Sequence, residues 1–461
     1  MAVLCFVSFT AEAATDKKKP EYQKVEKTYR YRVAFTDKKN NTYSVKHPEK
    51  FLSEKSLARR KRYGIKVDHY DLPITPAYLE TLTQMGLSVR NCSKWNNTAV
   101  VQLTDTTLLD RVRDLDFVKH VCCVWEGPDS VLVNKGVHPQ DRRSIVTNER
   151  DTVDHYYGHA ACQVEMLGVD KLHKAGYTGK NVTIAVIDGG FFNADVIEGL
   201  KDLRILGTKN FARPGEDTYA DLDHGMMVLS CIGANRPHFL VGTAPGASFY
   251  LLQSEDGETE QLVEEDNWCA AVEYADSVGC DMVTSSLGYT SFDHPYMSHK
   301  YYEADGRTAL NSRSASLAAS RGILLLNSAG NSGDDTWKKI GFPADATDIL
   351  AVGAVNAKKV NTNFSSIGHT ADNRVKPDVM AMGYACAVYN GTGGLSRVNG
   401  TSFSCPIMCG AVACLLQAYP DKTPVEIMHA VRQAGDNVAH PDNIFGYGIP
   451  DMNKAFDILK K

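Results

Sequence analysis

The sequence predicts an α/β protein, a parallel sheet with helices on both faces, preceded by a small α+β domain. Three observations predict it. From about Gln163 to the end, apolar runs of four to seven residues recur with little polar alternation, as strands buried on both faces require. Helix-like segments separate those runs. Ahead of them, alternating strand-like and helix-like segments crowd into a shorter stretch, divided from the rest by a polar, turn-rich passage from Glu126 to about Tyr157.

Taken in order, Ala2-Val3-Leu4-Cys5-Phe6-Val7-Ser8-Phe9 form a short apolar run, and Ala11-Glu12-Ala13 has the small-x-small pattern of a signal-peptidase site. Residues 1–14 therefore read as a truncated signal segment without its basic front end, against the competing reading of a frayed apolar terminus. Export is the expectation: periplasmic, cell-surface or extracellular. The α+β domain spans 15–127, with strand-like runs at Tyr29–Phe35, Thr98–Leu103 and Val118–Val124, a helical segment at Ser53–Tyr63 and a further apolar segment, Leu79–Met85. Its basic run Arg59-Arg60-Lys61-Arg62 reads as a solvated helix face. Residues 128–160 form the linker, where Arg142-Arg143 is a candidate cleavage site or simply solvated chain. The large domain, 161–461, holds buried strands at Val182–Ile187, Phe249–Leu252, Met282-Val283, Ile323–Leu326, Ile349–Val355 and Val379-Met380. Helices are expected near Met226–Gly233, Asp266–Val278, Ser314–Arg321 and Ser404–Tyr419.

Composition narrows the function classes. With a net charge of −5 over 461 residues, neither nucleic acid nor an anionic membrane is implied as a partner. No uninterrupted apolar stretch reaches the ~18–20 residues that span a bilayer. The twelve cysteines include no CxxC pair, so zinc or thiol-exchange chemistry is not indicated. No acidic loop has EF-hand spacing.

Four residues carry the chemistry. Ser402 lies in Asn399-Gly400-Thr401-Ser402-Phe403-Ser404-Cys405-Pro406, a bendable turn feeding an apolar helical run. Asp188 directly follows a buried strand, His224 opens a helix, and Asn331 ends Ser328-Ala329-Gly330-Asn331 at the mouth of another strand. In an open parallel sheet, functional groups gather at such carboxyl ends. Singly, these residues fit an N-cap serine, a nucleotide or metal carboxylate, a structural histidine and an Asx turn. Together they supply what acyl transfer needs: a nucleophile, a base, a carboxylate to orient it and an oxyanion donor.

Their chain order, Asp then His then Ser, resembles that of the subtilisin-like serine proteases, or subtilases. The matching segments include Ile184-Ala185-Val186-Ile187-Asp188-Gly189-Gly190, His224-Gly225, Val241-Gly242-Thr243-Ala244-Pro245, Ser286-Leu287-Gly288, Ser328-Ala329-Gly330-Asn331 and Gly400-Thr401-Ser402 with Pro406. The resemblance covers about Gln163 to Phe456 and implies a subtilisin-like parallel sheet. It implies an exported serine endopeptidase in which Ser402 attacks, His224 is base then acid, Asp188 orients it, and Asn331 holds the oxyanion. Ser286, Leu287 and Gly288 would pair with substrate backbone, and Ser328, Ala329 and Gly330 would line the pocket for the residue before the cut. The front domain would be a propeptide that templates folding, occupies the cleft and is cut away between about Trp125 and His159. Lys94–Val100 resembles the central strand of such pro-regions. No cofactor and no catalytic metal are required, though structural calcium fits the family. The expected partners are polypeptide substrates and the chain's own propeptide, with the protein a monomer.

The sequence departs from the family pattern at Met226-Met227 and at Ser404-Cys405, where Cys405 reads as a buried thiol or as one activated by the helix N-terminus. The acidic stretch Ser254–Asp266 either suits the first turn of the next helix or borders the cleft and favours basic substrate residues. A Ser-His-Asp esterase fits poorly, because no G-x-S-x-G elbow surrounds Ser402. A degenerate protease fold kept for binding is opposed by the complete set of four residues.

Overall fold

The computed structural model describes residues 22–128, 130–132 and 151–461. The expected signal segment and Arg142-Arg143 lie outside the described residues.

The large domain is built on a seven-stranded sheet in the spatial order Val379–Met382, Leu350–Val355, Leu324–Ser328, Met282–Ser285, Thr183–Asp188, Ser248–Gln253, Arg204–Asn210. Every described pairing in it is parallel. Its strands are buried on both faces because each face has its own helices. Ile184 and Val186 point into a core shared with the helices His224–Gly233 and Thr401–Ala418. Ala185 and Ile187 point the other way, toward Trp268, Val272 and Ala275 of the helix Val263–Val278. That division explains the unbroken apolar runs of the sequence.

Chain order reverses beside Thr183–Asp188. Successive strands first go to one side, as Arg204–Asn210 and Ser248–Gln253, and then to the other, from Met282–Ser285 onward. A crevice opens at the carboxyl ends of strands where such a switch occurs. The strand Arg204–Asn210 escaped sequence reading because it is an edge strand whose residues are mostly exposed. The helices Pro424–Gln433 and Met452–Leu459 also went unread.

The front domain is a four-stranded antiparallel sheet in the order Ser88–Ser93, Thr98–Leu103, Tyr29–Phe35, Val118–Glu126, with helices Glu54–Arg62, Pro76–Gln84 and Leu108–Arg113. It docks on the helix Val263–Val278. Asp266 of that helix pairs with Arg32 at 2.6 Å, and Glu273 accepts from Ser93 Oγ and from the backbone N–H groups of Lys94 and Trp95. Lys94–Asn97 is thus a hairpin turn gripping the large domain, and the strand begins only at Thr98.

The basic run corrects the expectation of a solvated face. Arg59 and Arg60 are buried, and both guanidinium groups converge on Asp276 of the large domain, Arg59 at 2.5 Å and Arg60 at 2.9 Å. Only Lys61 and Arg62 are exposed. Four basic residues in a row look alike in sequence; the partner that buries two of them is more than 200 positions away.

The helix Thr401–Ala418 is long and apolar enough to cross a membrane, but most of it is buried within the protein, where it forms the centre of the large core.

Candidate active site

Asp188 is the last residue of its strand and is wholly buried. Its Oδ1 accepts from the Gly189 N–H at 2.8 Å and meets His224 Nδ1 at 2.7 Å. His224 is the first residue of the helix His224–Gly233, which brings the imidazole over the strand end. The close approach depends on Gly225: a Cβ there would stand 2.8 Å from Asp188 Cβ and 2.5 Å from the Gly190 carbonyl oxygen. The Asp188 carboxylate lifts the imidazole pKa above its ordinary 6.5, outweighing the opposing effect of burial.

Ser402 lies in the first turn of the helix Thr401–Ala418. Gly400 ahead of it adopts φ 150° and ψ 150°, a conformation closed to residues with a Cβ. Backbone N–H groups in this first turn have no intrahelical acceptor, and the helix dipole favours negative charge beside them. Ser402 Oγ donates to the Ser286 carbonyl at 3.2 Å and makes no hydrogen bond with His224. Pro406 lies four residues further on and lacks the N–H that would bond the Ser402 carbonyl. Ser286 Oγ donates to that carbonyl instead, at 2.8 Å.

Asn331 is held by its amide oxygen, which accepts from the Thr401 N–H and from Thr401 Oγ1, each at 2.9 Å. The amide nitrogen is left beside Gly400, 3.5 Å from where a Cβ would stand. In sequence Thr401 is only part of the bendable turn ahead of the serine, and nothing there signals its grip on Asn331.

Asp188, His224, Asn331 and Ser402 line one cleft of about 670 Å³ together with Ser286, Leu287, Gly288, Ser328 and Gly330. The sheet ladder ends at Ser285, so Ser286–Gly288 run on beyond it along the cleft. Ala329 does not line the cleft; it is packed behind the wall against Ile340, Ala344 and Ala351. Tyr289 and Asp293 also line the cleft, and no motif or spacing marks them in the sequence.

The departures from the family pattern are packing residues. Met226 is fully buried in the core. Cys405 is fully buried too, and burial pushes its thiol up to about 12, so the helix N-terminus does not activate it. Among the described residues all cysteines are free. Also among the described residues, no group of three or more His, Cys, Asp or Glu side chains is arranged to hold a metal ion.

A family profile described as "Subtilase family" matches residues 179–448, more than half of the chain. The chain belongs to the subtilase family. A second profile, "Peptidase S8 propeptide domain, Bacteroidota", matches residues 30–141, so this subtilase carries a propeptide domain. Among curated relatives, the subtilase is 29% identical to Subtilisin NAT of Bacillus subtilis subsp. natto over 313 residues, 66% of this chain and 73% of that protein. In fold it resembles the epidermin leader peptide processing serine protease of Staphylococcus aureus, with a TM-score of 0.63 and 15% identity over 94% of this chain and 99% of that one. It also resembles MycP1 with its N-terminal propeptide removed, with a TM-score of 0.51 and 22% identity over 64% of this chain and 96% of that one. This subtilase is a serine endopeptidase.

Proposed function

We propose that the chain is an exported, self-processing endopeptidase that cuts polypeptides through an Asp188–His224–Ser402 triad and an acyl-enzyme intermediate. The observation that carries the reading is the 2.7 Å contact between Asp188 Oδ1 and His224 Nδ1, in the same cleft as the Ser402 hydroxyl and the Asn331 amide. Asp188 fixes the tautomer in which Nδ1 bears the proton and leaves Nε2 to act as base. The Ser402 hydroxyl turns from the Ser286 carbonyl to the imidazole and gives up its proton as Oγ attacks the substrate carbonyl. The tetrahedral oxyanion is met by the Asn331 amide and the Ser402 backbone N–H. His224 then returns the proton to the leaving amine, and water repeats the sequence on the ester. No step needs a cofactor.

Ser286–Gly288 serve as the track for substrate backbone, which pairs as an added strand. Ser328 and Gly330 line the pocket for the residue before the cut, with Ala329 supporting them from behind. Residues 15–127 act as the propeptide and 161–461 as the catalytic domain, with self-cleavage between about Trp125 and His159; residues 129 and 133–150 of that interval lie outside the described residues. The working enzyme is a monomer whose partners are its own propeptide and polypeptide substrates.

The test is to express the wild type and Ser402→Ala side by side and map every cut bond by mass spectrometry. The reading expects a cut in the linker, and cleavage of added polypeptide, in the wild type only. Cleavage by purified Ser402→Ala, or a wild type that is not labelled at Ser402 by a sulfonyl fluoride, would overturn it.

A further inference from the structure

One flank of the cleft carries carboxylates that hydrolysis does not use. Glu255, Glu260, Glu264 and Asp293 line the same cleft as His224 and Ser402. Glu264 is the telling one. It is only 3% exposed, it lines the cleft, and apart from the contact of its carboxyl with the Glu255 carboxylate its Oε2 has no hydrogen-bond partner. Two buried acids held against each other keep only one charge between them, and a polar oxygen whose sole neighbour is another acid gains from a cationic ligand.

The acids of this helix are sorted by partner. Glu265 meets His299 Nε2 at 2.6 Å, and Asp266 meets Arg32 at 2.6 Å, so both are committed to structure. Among the described residues, no lysine, arginine or histidine forms an ion pair with Glu255, Glu260 or Glu264. Glu255 has only neutral donors, Tyr289 Oη at 2.6 Å, Ser254 Oγ at 2.7 Å and the protonated carboxyl of Glu264. Burial, reinforced by the neighbouring carboxylates, pushes Glu264 up to about 12. The alternative of a simple solvated first turn does not describe a residue as buried as Glu264.

The placement also selects the ligand's position. Tyr289, bonded to Glu255, directly follows Gly288, so the carboxylates adjoin the Gly288 end of the backbone track. The wall from Ser328 to Asn331 instead adjoins the nucleophile through Thr401. A cationic side chain satisfies a carboxylate cluster by charge-assisted hydrogen bonds, and arginine can do so with two donors at once.

We propose that Glu264, with Glu260 and Glu255, forms a specificity pocket for an arginine or lysine side chain located two or more residues upstream of the scissile bond. The inference rests on the proteolytic reading above and adds its substrate class.

The test uses the purified full chain, incubated until turnover is constant, and matched fluorogenic peptides carrying arginine or its neutral isostere citrulline at each of the four positions upstream of the cut. The expected result is a kcat/KM about tenfold or more higher for arginine at one position beyond the first, as one charge-assisted hydrogen bond would give. That ratio should fall as salt is raised, and should move toward one in Glu264→Gln and in Glu260→Gln. The wild-type ratio needs no variant to fold. Equal rates for arginine and citrulline at every position beyond the first, in an enzyme that cuts the neutral peptides and is labelled at Ser402, would overturn the pocket alone. A preference unmoved by both substitutions would do the same. Absence of all cleavage together with absence of Ser402 labelling would overturn the proteolytic reading, and the pocket with it.

Discussion

Ser286 and Ser402 exchange hydrogen bonds in both directions: the Ser402 hydroxyl donates to the Ser286 carbonyl, and the Ser286 hydroxyl donates to the Ser402 carbonyl. The second bond exists because Pro406 leaves that carbonyl without its helical donor. The pair ties the turn that carries Ser402 to the segment Ser286–Gly288 along the cleft.

Removing the Ser286 hydroxyl leaves a buried carbonyl unsatisfied. Ser286→Ala should cost about 1–3 kcal/mol of stability, read as a lowered Tm. In a Pro406→Ala background the restored N–H can serve the Ser402 carbonyl. The penalty of Ser286→Ala should then shrink, and a double-mutant cycle measures by how much.

The Asn331 amide is aimed by Thr401, so two substitutions should act on one function. Asn331→Ala should lower kcat about 10²–10³-fold with little change in KM, the range known for an oxyanion donor in subtilisin. Thr401→Val should lower kcat less, because the backbone N–H of residue 401 still holds the Asn331 oxygen. Steady-state kinetics on one peptide decides both.

The raised pKa of His224 fixes a pH limb. The base must be neutral, so kcat/KM should rise with pH through a midpoint above the ordinary 6.5. Asp188→Asn removes the main cause of the shift. It should move that midpoint down while lowering kcat about 10⁴-fold through loss of the working tautomer.

Asp276 lies between Arg59, Arg60 and Lys94 of the front domain. Burial alone would raise its pKa, but these three cations hold it well below the ordinary range. Asp276→Asn strands buried cations and should weaken the docked front domain by about 3–5 kcal/mol. The Ser402→Ala background keeps the chain intact, and hydrogen exchange over Glu54–Arg62 reads the loss.

Glu273 gives the same interface a dependence on pH of defined sign. Burial, opposed by Lys94 and three hydrogen bonds, raises its carboxyl to about 7 from an ordinary 4.5. The docked state thus keeps a proton that a freely solvated carboxyl loses between those two values. Docking should lose stability as pH rises through that window. Glu273→Gln should flatten this slope in melting curves recorded from pH 5 to 8.

The sheet was legible where its chemistry is local. Val182–Ile187 and Ile349–Val355 are apolar on both faces, and that alone marks them as buried parallel strands. Arg204–Asn210 was not, because an edge strand alternates and resembles a loop. Asp188, His224, Asn331 and Ser402, which share one cleft, stand out in the sequence by residue type, position at element ends and chain order. Thr401 and Glu264 were not singled out, because each acquires its role from a neighbour in space. Nothing in the acidic run Glu264-Glu265-Asp266 tells which one faces a cavity and which one meets an arginine from the front domain.

The strand Val118–Glu126 ends with Glu126 clasped by Gln261, whose side-chain amide accepts from the Glu126 N–H at 2.8 Å and donates to its carbonyl at 3.1 Å, mimicking a ladder pair. Gln261 adjoins Glu260 on the cleft wall, so the chain beyond Glu126 starts from a leash fastened at the cleft's edge. A leashed segment meets the nucleophile at an effective concentration set by tether length rather than by how much protein is in the tube. Maturation should therefore follow first-order kinetics with the same half-life on hundredfold dilution, while digestion of foreign polypeptide slows in proportion.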